Sequence, residues 1–82
     1  MYITYIIYSK KLNRFYIGST NNLEHRLVQH NSKHKGFTST VNDWIIVYSE
    51  KFETIQEARK REKEIKSWKS RKKIEQLIVS AG

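Results

Sequence analysis

One carboxylate stands where a helix is expected to present an apolar side chain. Ile55, Ala58 and Ile65 repeat with helical spacing, and at about 100° per residue Glu62 projects inside the stripe that they form. A carboxylate in such a position costs free energy unless it is paired with a cation. A salt bridge to a neighbouring arginine is the simpler interpretation. The functional one is a hard divalent ion such as Mg²⁺, which one or two carboxylates, water and substrate phosphate commonly hold.

A guanidinium and an imidazole lie one helical turn apart in the first half of the chain. Arg26 and His30 would share a helix face. That face lies beside Leu23 and Leu27, which repeat at i, i+4 and are expected to face the core. Arginine binds phosphate oxygens in a bidentate manner, and histidine exchanges a proton near neutral pH. The same pair also occurs as a hydrogen-bonded edge of a core, so alone it does not establish a site. The three histidines, with no cysteine in the chain, are poor evidence for zinc.

Two tyrosines occupy the two arms of an expected hairpin. Tyr5 and Tyr16 lie on neighbouring strands, and such strands run about 4.8 Å apart, so two phenols could emerge together on one face. Tyrosine in a strand ordinarily serves packing, and for either residue alone that explanation is sufficient.

The net charge of the chain indicates a polyanionic partner. Sixteen Lys and Arg face eight Asp and Glu, which gives +8. Nine of the cations lie between Arg59 and Lys73, where only Glu62 and Glu64 oppose them. A solvated helix face would explain any single lysine, but the cluster favours a surface that contacts nucleic-acid phosphates. The candidates for these contacts are Arg61, Lys66, Lys69, Arg71, Lys72 and Lys73.

Three segments are expected to form a sheet. Residues 2–8 are β-branched or aromatic throughout, which predicts a strand covered on both faces and therefore the central one. A turn at 10–14 that contains Asn13 leads to a second strand at 15–20, and 44–48 predict a third.

Capping signals and apolar spacing predict three helices. Asn21 with Glu24 resembles a capping box that opens a helix fading near 30–32, before a polar loop at 33–40. Thr54 with Glu57 opens a second helix that runs to about Trp68. A last helix is expected from Ser70, with its inward side formed by Ile74, Leu77 and Ile78. The order β-β-α-β-α-α predicts an α+β fold, a three-stranded antiparallel sheet flanked by helices.

The composition bounds the architecture. The chain has 82 residues and neither proline nor cysteine, so we expect one domain over 1–82 without disulfides or linkers. No apolar run approaches the roughly 20 residues that span a membrane. We expect a cytoplasmic monomer.

Taken together in chain order, the residues resemble the GIY-YIG nuclease domain, in particular the short single-domain bacterial proteins grouped as UPF0213. The resemblance covers nearly the whole chain, and its specificity comes from the spacing of two tripeptides with later polar residues. The matching segments are Ile3-Thr4-Tyr5, Tyr16-Ile17-Gly18 with Ser19-Thr20, Leu23-Glu24, Arg26-x-x-x-His30-Asn31 and Ala58-x-x-Arg61-Glu62-Lys63-x-Ile65-Lys66, followed by Trp68.

The resemblance implies a catalytic scheme for four of these residues. Tyr5 would help to deprotonate the attacking water, with His30 near enough to polarise its hydroxyl. Because a phenol has an unperturbed pKa near 10, a cation, a metal or an imidazole would have to lower it. Arg26 would stabilise charge on the phosphoryl oxygens, and Glu62 would hold one Mg²⁺ (or Mn²⁺).

The resemblance also implies the roles of Tyr16 and Gly18 and the substrate. Tyr16 would position a phosphate or water, and Gly18 would let the substrate backbone approach. Family members with defined target sites take their specificity from added domains, and no appended DNA-recognition domain is expected here. We therefore expect a metal-dependent endonuclease that cuts structured or damaged DNA with low sequence specificity, with a protein partner as a further source of specificity.

Three other functions stay open from the sequence. The same fold could be a non-catalytic module that binds DNA or RNA through its basic C-terminal helices. It could be an RNA-binding accessory protein of the ribosome, or a scaffold whose basic face binds an acidic protein. A pure binder, however, has no need of an inward carboxylate at Glu62.

Overall fold

The sheet has three antiparallel strands with the first strand at its centre. A computed structural model describes residues 1–32 and 40–81. The strands are β1 (Tyr2–Ser9), β2 (Arg14–Thr20) and β3 (Ile45–Phe52), in the order β2-β1-β3. The α+β fold and the central position of β1 are confirmed. They follow from the residues of β1, because four consecutive ones are buried on alternating faces of the sheet.

Within the described residues three α-helices pack on the sheet, in the predicted order. They are α1 (Leu23–His30), α2 (Ile55–Ser67) and α3 (Arg71–Ala81). Thr54 caps α2 as expected, since its side chain accepts a hydrogen bond from the Glu57 amide at 3.2 Å. Ser70 serves α3 in the same way, accepting from the Lys73 amide at 3.3 Å. None of the described helices is long and apolar enough to cross a membrane.

The predicted cap of α1 at Asn21 is wrong by one residue. The cap is Asn22, whose side chain accepts from the amide of His25 at 3.1 Å. Thr20 decides between the two asparagines, because its hydroxyl accepts from the Asn22 amide at 3.1 Å and holds that residue in place. Glu24 consequently lies in the first turn one position too early to complete a capping box.

The predicted third strand begins one residue early and ends four residues early. Trp44 lies before β3 because the Asn31 side chain binds its backbone. The Asn31 amide oxygen accepts from the Trp44 backbone amide at 2.8 Å, and the Asn31 amide nitrogen donates to the Trp44 carbonyl at 3.1 Å. The C-terminal half of β3 is polar, yet it pairs with β1 as far as Phe52. The segment 33–39 of the predicted loop, with His34 and Gly36, lies outside the described residues.

The two faces of the sheet carry separate apolar clusters. On one face Tyr5, Ile7 and Trp44 are buried, and Leu23 and Leu27 of α1 pack against them as predicted. On the other face a second buried cluster receives the inward side chains of α3, also as predicted. That cluster comprises Ile6, Ile17 and Ile65, with Ile74, Leu77 and Ile78 packed against it. Helix α1 therefore covers one face, and α2 and α3 cover the other.

Candidate active site

The hairpin places Tyr5 directly across from Gly18. The two residues are paired in the β1–β2 register, and Tyr5 is only 2% exposed. A Cβ atom on Gly18 would lie 2.5 Å from the Tyr5 hydroxyl oxygen and 2.7 Å from its Cζ. Glycine is therefore required because the tyrosine ring lies across it. The expected approach of a substrate backbone to Gly18 stays a prediction.

The Tyr5 hydroxyl is hydrogen-bonded to the imidazole of His30. The hydroxyl oxygen lies 2.8 Å from His30 Nε2, and which atom donates depends on the imidazole tautomer. His30 is the last residue of α1 and is 6% exposed, so α1 fixes its position. The ring of Tyr16 lies against the same imidazole, with centroids 4.8 Å apart. The structure thus brings together three predicted site residues: Tyr5, Tyr16 and His30.

The pKa of Tyr5 is raised above the ordinary value of a phenol, which makes deprotonation harder. Burial raises it most, the neighbouring Tyr16 hydroxyl and the Glu62 carboxylate raise it further, and Arg26 opposes the rise. The phenol is consequently neutral at physiological pH and carries a proton. The imidazole contact alone does not produce the lowered pKa that the resemblance led us to expect.

Glu62 approaches the site from the other side of the edge strand β2. Its Oε1 accepts a hydrogen bond from the Ser19 hydroxyl at 2.6 Å, and its Oε2 is 2.6 Å from Lys66 Nζ. Burial of the carboxyl opposes ionisation, but the Lys66 and Ser19 hydrogen bonds outweigh it and lower the pKa of Glu62. The group is an ionised carboxylate at neutral pH. The salt bridge expected from its position exists, although its partner is a lysine one turn along instead of an arginine.

Ser19 is a site residue that sequence reasoning did not single out. It neighbours Thr4 across the sheet, and both hydroxyls lie within hydrogen-bond distance of the Ala58 carbonyl, at 3.2 Å and 2.6 Å. Because Ala58 is one turn before Glu62, the serine joins α2 to the hairpin. The only available signal was its place directly after Gly18 in the matching segment.

Lys66 belongs to the site more directly than its expected role on the basic surface suggested. Besides binding Glu62, its ammonium group lies 6.0 Å from the centroid of the Tyr16 ring. It therefore connects the carboxylate on one side of β2 with the phenols on the other. Arg26 is exposed one turn before His30. Among the described residues no carboxylate forms a salt bridge with Arg26.

The other expected DNA-contacting residues divide into two groups. Arg61 forms ion pairs with Glu50, at 2.9 Å, and with Glu64, and its guanidinium lies over Trp68. Arg71 donates to the backbone and side-chain oxygens of Asn13 at 2.7 and 2.6 Å. Both arginines therefore hold elements of the fold together. Exposed side chains remain at Lys69, Lys72 and Lys73.

The donor chemistry of Glu62 fits a hard divalent ion. Within residues 1–32 and 40–81 no three His, Cys, Asp or Glu side chains are grouped as metal ligands. A single ionised carboxylate is sufficient for Mg²⁺ when water and substrate phosphate supply the other oxygens. Lys66 binds one carboxylate oxygen and the Ser19 hydroxyl binds the other, so an ion at Glu62 would have to share or displace these contacts.

Comparison with known proteins defines the class of this chain. It belongs to the GIY-YIG catalytic domain family, whose model matches residues 1–75, and nuclease-type function follows from that membership. It is 36% identical over 74 residues to a UPF0213 protein of Staphylococcus haemolyticus, and the matched segment covers 89% of each of the two chains. No solved structure matches the chain significantly.

Proposed function

We propose that this protein is a metal-dependent endonuclease that hydrolyses DNA phosphodiester bonds with low sequence specificity, acting on structured or damaged DNA. The observation that carries the proposal is the hydrogen bond between Tyr5 and His30 beside the ionised Glu62. A neutral phenol bound to an imidazole supports general-base catalysis. A buried tyrosine hydroxyl usually has a hydrogen-bond partner, and here the partner is a group that can accept a proton near neutral pH.

The proposed proton path runs from water to Tyr5 and from Tyr5 to His30. As the water oxygen attacks phosphorus, its proton passes to the Tyr5 oxygen while the Tyr5 proton passes to His30 Nε2. This relay requires the tautomer in which Nε2 is the acceptor, and their separation of 2.8 Å suits the transfer. Because the two transfers are coupled, Tyr5 need not become a free phenolate, which fits its raised pKa.

The second requirement of the reaction is that the negative charge on the phosphoryl group is stabilised. The exposed guanidinium of Arg26 lies on the helix that carries His30, and we assign it to the non-bridging phosphoryl oxygens. Tyr16 contacts His30 and would keep the imidazole in place while orienting a phosphate or water. A Mg²⁺ or Mn²⁺ ion on Glu62 would supply positive charge for the leaving oxygen.

The proposed function is tested with a panel of supercoiled, single-stranded and branched DNA. We expect cutting with Mg²⁺ or Mn²⁺, none with EDTA, and none with the Glu62→Ala variant. DNA affinity of that variant, measured in EDTA, should stay near the wild-type value. Salt-sensitive binding without cutting of any substrate would instead favour a non-catalytic nucleic-acid-binding module.

A further inference from the structure

A cleft of about 320 Å³ adjoins the site on the α2–α3 side of strand β2. Its floor is apolar and includes Phe15 and Ile17 from β2 and Ile74 from α3. Phe15 is only partly buried, although the Tyr8 ring packs against it with the two centroids 5.0 Å apart. The volume is at the lower end of the roughly 300–1,000 Å³ of small-molecule sites. It suits one planar ring system and is far too small for a duplex.

Positive charge surrounds this apolar floor. Arg14, Lys66 and Lys69 line the cleft together with Arg71. Arg14 and Lys69 are exposed, and no carboxylate of the described residues forms a salt bridge with either of them. An apolar floor with unneutralised cations at its rim matches the two parts of a nucleotide, an uncharged ring and a phosphate.

Lys66 connects the cleft to the candidate active site, and Arg71 fixes the opposite wall of the cleft. Lys66 lines the cleft, and its ammonium group is 2.6 Å from Glu62 Oε2, so a strand bound in the cleft leads to the candidate active site. At the other end the Arg71 guanidinium lies 5.0 Å from the centroid of the Phe15 ring. Because Arg71 is also bound to Asn13, this wall of the cleft is fixed in place.

We propose that the cleft binds one nucleotide of a DNA strand whose base is unpaired. The base lies against Phe15, Ile17 and Ile74, and the adjoining phosphate contacts Arg14 and Lys69. This inference rests on the proposed function and names its substrate class, because a base stacked and paired in a duplex cannot enter. DNA with an unpaired nucleotide next to the scissile bond is then the preferred substrate.

The test compares three DNA probes with the full chain in EDTA, so that binding is measured without cleavage. The first is a plain duplex, the second carries one central bulged nucleotide, and the third carries a bulged abasic residue that keeps the sugar and phosphate. We expect the bulged nucleotide to bind about tenfold more tightly than the abasic bulge, the scale of base stacking on protein side chains. Equal affinities for the two bulges would overturn the proposal, because the cleft would then bind phosphate alone.

A pair of variants that each remove one positive charge tests whether the phosphate of the bulged nucleotide is bound at the cleft. Lys69 has a φ of 48°, so Lys69→Asn removes the charge while asparagine tolerates the left-handed backbone. Lys51→Gln removes one charge from β3, at the opposite edge of the sheet. We expect Lys69→Asn to weaken binding of the bulged duplex several-fold more than Lys51→Gln does. Equal losses would mean that Lys69 does not bind the phosphate of the bulged nucleotide and would overturn the proposal.

Failure of the proposed function gives a different result. A preference for the bulged nucleotide in EDTA without cutting in Mg²⁺ or Mn²⁺ would retain the cleft and reject the nuclease. Metal-dependent cutting without any preference among the three probes would retain the nuclease and reject the cleft.

Discussion

At the scale of single residues, the geometry of the site depends on Tyr5 lying across a residue without a side chain. Its hydroxyl reaches His30 only because nothing projects from Gly18. The ring is held from several directions, since it is buried in the cluster that also contains Ile7 and Trp44. A substitution that moves this ring should therefore lower the cleavage rate more than it lowers DNA affinity.

Gly18→Ala tests this dependence. The added Cβ would lie 2.5 Å from the Tyr5 hydroxyl oxygen, so the ring has to shift away from His30. Misplacing a reacting group by about 1 Å costs on the order of 100-fold in rate, and we expect such a loss in the single-turnover cleavage rate. Measuring the rate with the protein in saturating excess over DNA separates this loss from any change in DNA affinity. A rate within threefold of wild type would show that the tyrosine need not lie where the structure has it.

Lys66→Met tests whether the lysine competes with metal for Glu62. Removing the ammonium frees Oε2, to which Lys66 is bound at 2.6 Å. Because a partly exposed ion pair is worth up to about 1 kcal/mol, we expect Mg²⁺ or Mn²⁺ to bind up to about fivefold more tightly in calorimetry without DNA. Lys63→Met, an exposed change of the same charge on the same helix, is the matched control. Weaker metal binding by Lys66→Met than by the control would mean that the lysine supports the metal site.

At the scale of elements, the site requires the end of α1 to stay fixed relative to the start of β3. Asn31 makes this connection by binding both backbone polar groups of Trp44. Trp44 is 2% exposed, and its ring lies 6.5 Å from that of Tyr16. Because Asn31 directly follows His30, it also helps to fix the position of the His30 imidazole at the end of α1.

Asn31→Ala should destabilise the protein by about 1–3 kcal/mol, because it leaves buried polar groups of Trp44 without their side-chain partner. Urea unfolding followed by tryptophan fluorescence measures this loss. Gln29→Ala, at an exposed position of α1, is the control and should change the free energy of unfolding by less than about 0.5 kcal/mol. A loss for Asn31→Ala no larger than for the control would mean that α1 is held by its leucines alone.

The same elements show what the sequence could and could not predict. Periodicity and caps are local, so β1, the capping role of Thr54 and the inward side of α3 were predictable. The choice between Asn21 and Asn22 was not, because it depends on a hydroxyl contact from Thr20. The bond between Ser19 and Glu62 joins residues 43 positions apart and follows only once α2 is packed on the hairpin.

At the scale of the whole molecule, the cations that give the net charge of +8 do not all have the same role. Composition predicted the polyanion partner but could not separate cations that support the fold from those that face solvent. Arg61 and Arg71 have partners within the protein, Lys66 is bound to Glu62, and Lys69, Lys72 and Lys73 are exposed. The proposed DNA-binding surface is therefore narrower than the basic segment.

Replacing Lys69, Lys72 and Lys73 together with glutamine should weaken binding to every DNA sequence. Each lost phosphate contact lowers the magnitude of the negative slope of log affinity against log salt by about 0.9. We therefore expect this magnitude to fall by roughly two to three for three contacts. Fluorescence anisotropy between low and moderate salt in EDTA gives the slope. An unchanged slope would place the DNA path on another surface of the protein.

The central claim is that the Tyr5 hydroxyl transfers the proton of the attacking water to His30. The most direct test is the single-turnover cleavage rate of Tyr5→Phe on the best substrate of the DNA panel, with DNA affinity measured on the same samples. Phenylalanine keeps the buried ring and removes only the hydroxyl, so we predict unchanged affinity and a rate lowered by about 10²–10⁴-fold, the usual contribution of a general base. A rate within a few-fold of wild type would contradict the account, because another group would then activate the water.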